Sequence, residues 1–116
     1  MNTTAIGRAA EATAATHLVA RGFRIIAQNW RNRWCEIDIV ADQQGVRHFI
    51  EVKYRRSTAY GSPTECISYD KLSRLERAAQ AHNQSHRYAR AYQIDVVAVT
   101  GPAGAETVEH IENITG

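Results

Sequence analysis

Three residues in the middle of the chain have the types and spacing of a metal-dependent hydrolytic site. Glu51 and Lys53 lie two positions apart in the stretch IEVKYRR, and Asp38 lies in the preceding stretch WCEIDIVA. On two strands joined by a short turn, these three side chains could share one face. Two carboxylates and the intervening Val52 carbonyl are oxygen ligands of the kind that Mg²⁺ or Mn²⁺ prefers. A nearby lysine could orient the attacking water and offset charge on a phosphate.

A charged, solvent-exposed strand face is the competing interpretation of the same residues. Glu51 and Lys53 could form an ordinary surface ion pair, which contributes about 0.2–1 kcal/mol. A Glu-x-Lys triplet is common by chance, and a register shift of one residue would move Asp38 to the other face. The residue types by themselves therefore leave both interpretations open.

Hydrophobic periodicity predicts the elements that must position these residues. Alternation and apolar runs predict five strands, at 23–30, 34–41, 46–54, 91–100 and 105–114. Turns are predicted at 42–45 and 101–104, and helices at 7–20 and 68–84. The order α-β-β-β-α-β-β predicts an α+β fold, in which a mixed central sheet is flanked by the two helices. The length of 116 residues suits one domain that spans the whole chain, 1–116.

Within these elements, the pattern assigns residues to faces. In the strand at 34–41, the core face is expected to carry Cys35, Ile37 and Ile39, and the other face Glu36, Asp38 and Val40. The first helix is expected to bury a stripe of small residues made of Ala9, Ala12, Thr16 and Val19 or Ala20. The second helix is expected to be capped by Ser68 or Asp70, and to bury Leu72, Leu75 and Ala79 with Ala78 as a further candidate.

Positive charge is concentrated in the first 90 residues. They hold all 14 Lys and Arg and 8 of the 12 acids, whereas residues 91–116 hold four acids and no Lys or Arg. Such asymmetry suits a polyanionic partner, although it also occurs on ordinary surfaces. Twelve of the basic residues are Arg, so Lys53 and Lys71 stand out. The expected phosphate contacts are Arg31, Arg33, Arg55, Arg56, Lys71 and Arg74.

The ordered motifs resemble the YraN-type family of small bacterial proteins. Matching blocks run from Gly7 to Val99, and include GRAAEATAATHLVARGFRIIAQNWR, CEIDIVA, FIEVKYRR, YGSP and QIDVVAV. That family is grouped by fold with Holliday-junction resolvases and RecB-like nucleases, the PD-(D/E)xK class. The resemblance implies a restriction-endonuclease-like α/β fold and hydrolysis of DNA, with branched or damaged DNA as candidate substrates.

The resemblance also implies a role for each matching residue. Asp38 and Glu51 would bind the metal ion, Lys53 would be the catalytic lysine, and Glu11 on the first helix would complete the acidic set. Together with the Val52 carbonyl these residues form the expected site for Mg²⁺ or Mn²⁺.

Further matching residues have supporting roles, and two positions depart from the family pattern. Lys71 matches a position that often faces the scissile phosphate. Glu36 would assist Asp38, whereas Asp95 is expected to be structural and to anchor a neighbouring Arg. The family glycines before EID and before the helix acid are replaced by Cys35 and Ala10, and Cys35 would alter the site if it narrowed it.

Other candidates have weaker support. His82 and His86 have an i, i+4 spacing that can bind Zn²⁺, although helix packing is the commoner use. Trp30, Trp34 and Tyr60 could stack on unpaired bases, with sheet packing as the alternative.

The remaining expectations concern compartment and assembly. Cys35 and Cys66 are expected to be reduced thiols of a cytoplasmic protein, with a disulfide as the alternative. Neither a secretion signal nor a membrane partner is expected, and a homodimer would suit a substrate with two cleavable strands. The main alternatives to a nuclease are a non-catalytic nucleic-acid-binding module and a protein-interaction domain that pairs through the 105–114 edge strand.

Overall fold

The structure, a computed structural model, has the predicted order of elements and describes residues 3–57, 67–88, 90–102 and 104–115. The elements are helix α1 (Thr3–Ala20), strands β1 (Arg24–Arg31), β2 (Glu36–Gln43) and β3 (Val46–Arg55), helix α2 (Tyr69–Ser85), and strands β4 (Tyr92–Thr100) and β5 (Thr107–Ile111). This confirms the α+β class, a five-stranded mixed sheet with two helices. Within the described ranges, neither helix is both long and apolar enough to span a membrane.

The described strands form a sheet of order β1-β2-β3-β4-β5, in which β3 pairs with β4 in parallel and the other neighbours pair antiparallel. Helix α2 provides the crossover connection that a parallel pair requires. As a result, β1, β3 and β4 end at the same edge of the sheet, where β2 and α2 begin. We call this edge the catalytic-motif edge, because Asp38, Glu51 and Lys53 lie near it.

The turn between β2 and β3 is shorter than the predicted 42–45. Asp42 and Gln43 still pair across the hairpin, and the turn itself is Gln44 and Gly45. Both turn residues have positive φ, 51° and 78°, which a two-residue type I′ hairpin turn requires. Because the strands are joined so tightly, their register is well defined, and Ile39 lies opposite Ile50.

The two helices cover opposite faces of the sheet. Helix α1 packs on a core layer that includes Ile39, Ile50 and Val97, and helix α2 packs on a layer that includes Val40 and Phe49. Ser68 caps α2 by accepting a hydrogen bond from the Lys71 backbone N–H, as one of the two predicted caps. The predicted inward residues of α2 are confirmed, since all contribute to its core layer: Leu72, Leu75, Ala78 and Ala79.

The predicted buried stripe of α1 is wrong. The buried residues are Ala10, Ala14 and Leu18, whereas Ala9, Ala12 and Thr16 are exposed and Val19 is 58% exposed. Ala10, Ala14 and Leu18 are four residues apart and therefore lie on one face of the helix. That face packs against the sheet because Leu18 buries far more apolar area than an alanine. Glu11 follows Ala10 and therefore lies at the margin of the buried face.

The predicted alternation in β2 is also partly wrong. Ile39 packs in the α1 layer as part of the core, but Ile37 and Cys35 pack in the α2 layer with Val40. Strict alternation is therefore interrupted at Asp38. The β2–β3 pairing extends only as far as Ile39 opposite Ile50, so β2 diverges from β3 just where Asp38 lies.

Candidate functional site

The predicted acids and lysines come from four elements that meet at the catalytic-motif edge. Glu11 is on α1, Asp38 on β2, Glu51 and Lys53 on β3, and Lys71 in the first turn of α2. We call these five residues the acid–lysine pocket. Residues distant in the chain converge here because β2 and α2 start where β3 ends.

Glu51 is at the centre of the acid–lysine pocket. Its side chain is 8% exposed, and its Oε2 lies 3.4 Å from Lys53 Nζ and 3.9 Å from Lys71 Nζ. Each lysine side chain is about one-third exposed, at 34% and 31%, so both ammonium groups face solvent as well as Glu51. The ion pair between Glu51 and Lys53 that the competing interpretation expects is therefore present, but its carboxylate is buried and also lies near a second lysine.

Asp38 is held by one backbone donor in an acidic environment. Its Oδ2 accepts a hydrogen bond of 2.8 Å from the Val52 N–H. Burial raises the pKa of Asp38, the negative charge of Glu51 raises it further, and the Val52 hydrogen bond only partly opposes them, so the pKa is about 7. Glu11 and Glu36 add smaller upward contributions. This carboxyl group therefore holds a proton close to neutral pH unless a cation takes its place.

Glu11 lies beside a cavity of about 450 Å³ at the edge of the acid–lysine pocket. The cavity is lined by Gly7, Arg8, Glu11, Asn29, Arg31 and Glu36. Burial raises the pKa of Glu11, a hydrogen bond with Asn29 opposes this, and the charges of Glu36 and Glu51 raise the pKa again. Glu11 is thus electrostatically coupled to both strands of the pocket. The expected assisting position of Glu36 is consistent with its contributions at Asp38 and Glu11.

Asn29 is a pocket residue that sequence reasoning missed. It lies in β1 between the pairs Gln28–Ile39 and Trp30–Ile37, and it has a φ of 54°. Asparagine adopts this left-handed conformation more readily than most residues, and such strain often occurs at functional sites. An asparagine in the middle of a strand pattern was the available signal.

The residues expected to contact phosphates lie along the same edge, and several of them contact other side chains of the protein. Arg31 forms an ion pair of 3.1 Å with Glu36 and lines the cavity beside Glu11. Arg33 is exposed and its guanidinium stacks on Trp34, 4.6 Å from the ring centroid. These contacts leave both side chains at the surface, where they could reach a phosphate backbone.

Three further basic residues lie at the end of β3, just after it, or on α2. The Arg55 Nε donates to Thr100 Oγ1 at 3.0 Å, and Arg56 is exposed at the end of β3. Arg74 is one turn beyond Lys71 and pairs with Asp70 at 3.3 Å.

Of the aromatic candidates, Trp30 packs edge-on against buried His82, and Tyr60 lies outside the described residues, as does Cys66.

Asp95 has the surroundings of a structural residue, as expected, but the prediction that it anchors an arginine is wrong. The fully buried carboxylate accepts hydrogen bonds from His48 Nδ1 at 2.6 Å, His110 Nε2 at 2.8 Å, Gln93 Nε2 at 2.8 Å and the Asn113 N–H at 2.9 Å. Burial raises the pKa of Asp95, but the hydrogen bonds from His110, His48, Asn113 and Gln93 outweigh it and hold the pKa far below its usual range.

His82 and His86 are arranged for packing, in line with the commoner use of this spacing. Their rings stack with centroids 4.1 Å apart, and His82 is fully buried against Trp30 and Phe49. Burial, reinforced by His86, lowers the pKa of His82 to about 4. His82 is therefore a neutral core residue at physiological pH.

Metal-ligand geometry differs between the two acidic regions. Among the described residues, His48, Asp95, His110 and Glu112 form a group whose ligand atoms lie within 4.8 Å of one another, and this group could hold a metal ion. Glu11, Asp38 and Glu51 are not grouped in this way. The proposed role of the Val52 carbonyl stays a prediction, since the contact described for Val52 is through its N–H.

Comparison with known proteins shows extended similarity. Residues 10–99 match the model of the uncharacterised protein family UPF0102. UPF0102 proteins from Herpetosiphon aurantiacus and Trichlorobacter lovleyi are 39% and 43% identical, over 96% and 94% of this chain and 94% and 88% of the relatives. A UPF0102 protein from Stutzerimonas stutzeri is 40% identical over 92% of this chain and 91% of its own length.

Proposed function

The chain belongs to the UPF0102 family, the YraN-type proteins, and we propose that it is a divalent-metal-dependent endonuclease acting on DNA. The observation that carries the proposal is the convergence of Lys53 and Lys71 on the buried Glu51 carboxylate, at 3.4 Å and 3.9 Å, beside Asp38. Burial and the charge of Glu51 raise the pKa of Asp38 to about 7, which agrees with this arrangement. Crowded carboxylates of this kind are stabilised by a cation, and perturbed acids next to lysines are typical of functional sites. A restriction-endonuclease-like arrangement of the PD-(D/E)xK class is part of the same proposal.

The donor set of the acid–lysine pocket fits Mg²⁺ or Mn²⁺. Asp38 and Glu51 would be the principal ligands, with Glu11 and the Val52 carbonyl completing the oxygen set. A bound ion would act as a Lewis acid on the phosphate and on a bound water. Lys53, 3.4 Å from Glu51, would orient that water for in-line attack. Lys71 reaches the same carboxylate from α2 and would stabilise charge on the phosphate.

The basic residues around the pocket favour a polyanion over a small substrate. Arg31, Arg33, Arg55, Arg56 and Arg74 lie along the catalytic-motif edge or on α2 next to it. Arginine contacts with phosphates position a nucleic acid without reading its sequence. Branched and damaged DNA are the first substrates to test, in a cytoplasmic setting and with a homodimer as one arrangement.

A cleavage assay with matched variants tests this proposal. Labelled linear, single-stranded, flap and four-way DNA are incubated with Mn²⁺ or Mg²⁺ and with the parent, Glu51→Gln, Lys53→Met or Glu109→Gln. Glu109 is an exposed acid on β5, so its variant controls for the loss of one charge. We expect cleavage by the parent and by Glu109→Gln, and a loss of about 10²–10⁴-fold in Glu51→Gln and Lys53→Met. Equal cleavage by all four proteins would indicate a contaminant and refute the assignment.

A non-catalytic nucleic-acid-binding module is the second candidate. The observation in its favour is that Glu11, Asp38 and Glu51 are not grouped as closely as a preformed metal site would be. This alternative predicts metal-independent DNA binding whose affinity falls steeply with salt, and no cleavage on any substrate. Binding that requires Mn²⁺ and disappears in Asp38→Asn would exclude it.

A further inference from the structure

A second set of metal-ligand side chains lies on the sheet away from the acid–lysine pocket. His48 is in the first half of β3, Asp95 is in β4, His110 is in β5 and Glu112 follows β5. We call them the histidine cluster. Because β5 is antiparallel to β4, its last residues return to the end of the sheet where β3 and β4 begin. The histidine cluster is therefore separate from the site that the proposed nuclease activity uses.

The two imidazoles converge on one carboxylate oxygen. His48 Nδ1 and His110 Nε2 lie 2.6 Å and 2.8 Å from Asp95 Oδ2, and Glu112 Oε1 lies 4.0 Å from His48 Nδ1. The other oxygen, Asp95 Oδ1, is held by Gln93 Nε2 and by the Asn113 N–H. Donors of this kind fix the orientation of a ligating carboxylate in metal sites.

We propose that the histidine cluster binds Zn²⁺ or a similar transition-metal dication, with His48, His110, Asp95 and Glu112 as ligands. Two imidazole nitrogens and carboxylate oxygens are the donor set that Zn²⁺ accepts, whereas Mg²⁺ prefers oxygen alone. Ligand atoms at about 2.0–2.1 Å from a tetrahedral ion lie about 3.3–3.4 Å apart. The two histidine contacts with Asp95, at 2.6 Å and 2.8 Å, would therefore open by about 0.5–0.8 Å, and the 4.0 Å contact between Glu112 and His48 would close by about 0.6–0.7 Å.

Coordination would use the two ring nitrogens that now face Asp95, His48 Nδ1 and His110 Nε2. Each of these nitrogens must present a lone pair to the ion, so a proton carried there would move to the other ring nitrogen or be released on binding. The two hydrogen bonds to Asp95 Oδ2 would then be replaced by coordination of both imidazoles and the carboxylate to one ion.

The surroundings suit a closed structural site with one entrance. The side chains of His48 and His110 are 4% and 10% exposed, while that of Glu112 is 58% exposed and opens to solvent. Phe23 packs edge-on against both imidazoles and forms an apolar wall. With four protein ligands, a bound ion would link β5 and the following residues to β3 and β4, and would stabilise the fold.

Co²⁺ spectroscopy tests the site independently of any nuclease activity. The metal-free protein is titrated with Co²⁺ and followed by its visible d–d absorption, and Zn²⁺ is then added as a competitor. We expect the intense bands of tetrahedral Co²⁺ with the parent and their displacement by Zn²⁺. In Glu112→Gln, we expect affinity to fall about 10-fold or more, since one ligand is lost, and an exposed position of this kind tolerates an isosteric change.

Matched variants separate this site from other sources of metal binding. Glu109→Gln, with the same charge change at an exposed position three residues before Glu112, should leave the tetrahedral Co²⁺ bands unchanged. Absence of tetrahedral bands in the parent would overturn the proposal. Bands that survive equally in Glu112→Gln and His110→Gln, or that show cysteine-to-metal charge transfer, would also overturn it. If His110→Gln does not fold, the result with Glu112→Gln decides the question.

Discussion

Asp38 and Asp95 are the same residue type in the same sheet, yet their environments shift the pKa of the carboxyl group in opposite directions. Asp95 is fully buried and accepts hydrogen bonds from His48, His110, Gln93 and Asn113, which hold its pKa far below the usual range. From the part of the chain that the structure describes, Asp38 receives one hydrogen bond, from Val52, and its pKa is raised to about 7. One end of the sheet therefore contains a satisfied anion, and the other contains an acid with too few donors.

This difference distinguishes a structural carboxylate from a candidate functional one. Burial raises the pKa of both groups, so burial alone identifies neither. The deciding quantity is the number of hydrogen-bond donors that the described residues supply, four at Asp95 and one at Asp38, together with the charge of the neighbours. Glu51 and Glu11 oppose ionisation of Asp38, and the cation of the proposed function would offset their charge.

The largest effect is expected from removing the charge of Asp95. Asp95→Asn should lower the free energy of unfolding by about 3–5 kcal/mol at pH 7, because a carboxylate that binds two imidazoles and a backbone N–H is lost from the interior. Urea denaturation measures this. Asp70→Asn is the matched control, since Asp70 is exposed. A change below about 1 kcal/mol would contradict the structural role.

At Asp38, removing the charge is expected to raise the free energy of unfolding, whereas at Asp95 it is expected to lower it. Because the folded pKa of about 7 exceeds the ordinary value, the folded state retains the proton longer than the unfolded chain, so stability decreases as pH rises from about 4 to 7. In metal-free buffer, Asp38→Asn should therefore increase the free energy of unfolding by about 2–4 kcal/mol at pH 8 and by little at pH 4. Denaturation of both proteins at the two pH values measures this. A destabilised variant at pH 8 would show that the carboxylate is adequately paired.

Divalent-metal affinity should sharpen the same contrast. Between pH 6 and 7, Mn²⁺ affinity at the acid–lysine pocket should rise by up to about tenfold, because the ion must displace the proton of Asp38. Calorimetric titration of the parent and of Asp38→Asn at both pH values measures this. The variant should bind more weakly and with a flatter pH profile. A parent affinity independent of pH would mean that Asp38 is not a ligand.

The smallest expected effect concerns nucleic-acid contacts. Arg56→Gln, at the end of β3, should weaken DNA binding a few-fold on every sequence and reduce the salt slope by about 1. Arg87→Gln is the matched control, since Arg87 is exposed beyond the far end of α2. Equal slopes for parent and both variants would place the DNA elsewhere.

The sequence was most informative where neighbouring side chains differ strongly in polarity and size. Alternating apolar residues around Glu51 and the short turn before Val46 predict a hairpin that places Asp38 near the Glu-x-Lys motif, and the structure has that hairpin. Ser68 and the leucines of α2 likewise predict its capped end and its buried face. Each of these predictions depends on local spacing, which a single chain displays directly.

The errors occurred where neighbouring side chains are similar in size and polarity, or where the contacts join residues distant in the chain. In α1 nearly every residue is small, so the buried face is decided by Leu18 against the sheet and not by alternation. The partners of Asp95 come from β3 and β5, and only the register of three strands brings His48 and His110 to it. The break in alternation at Asp38 depends on where β2 diverges from β3, which no local pattern encodes.

The parallel pairing of β3 with β4 has a consequence for synthesis of the chain. Residues 47–55 of β3 pair with residues 92–100, so this edge of β3 stays unpaired until residues 92–100 have emerged from the ribosome. An unpaired strand of this apolar character is a site for intermolecular association. We therefore expect nascent chains that stop before β4 to depend on chaperones, and slow translation through residues 56–91 to lengthen that exposure.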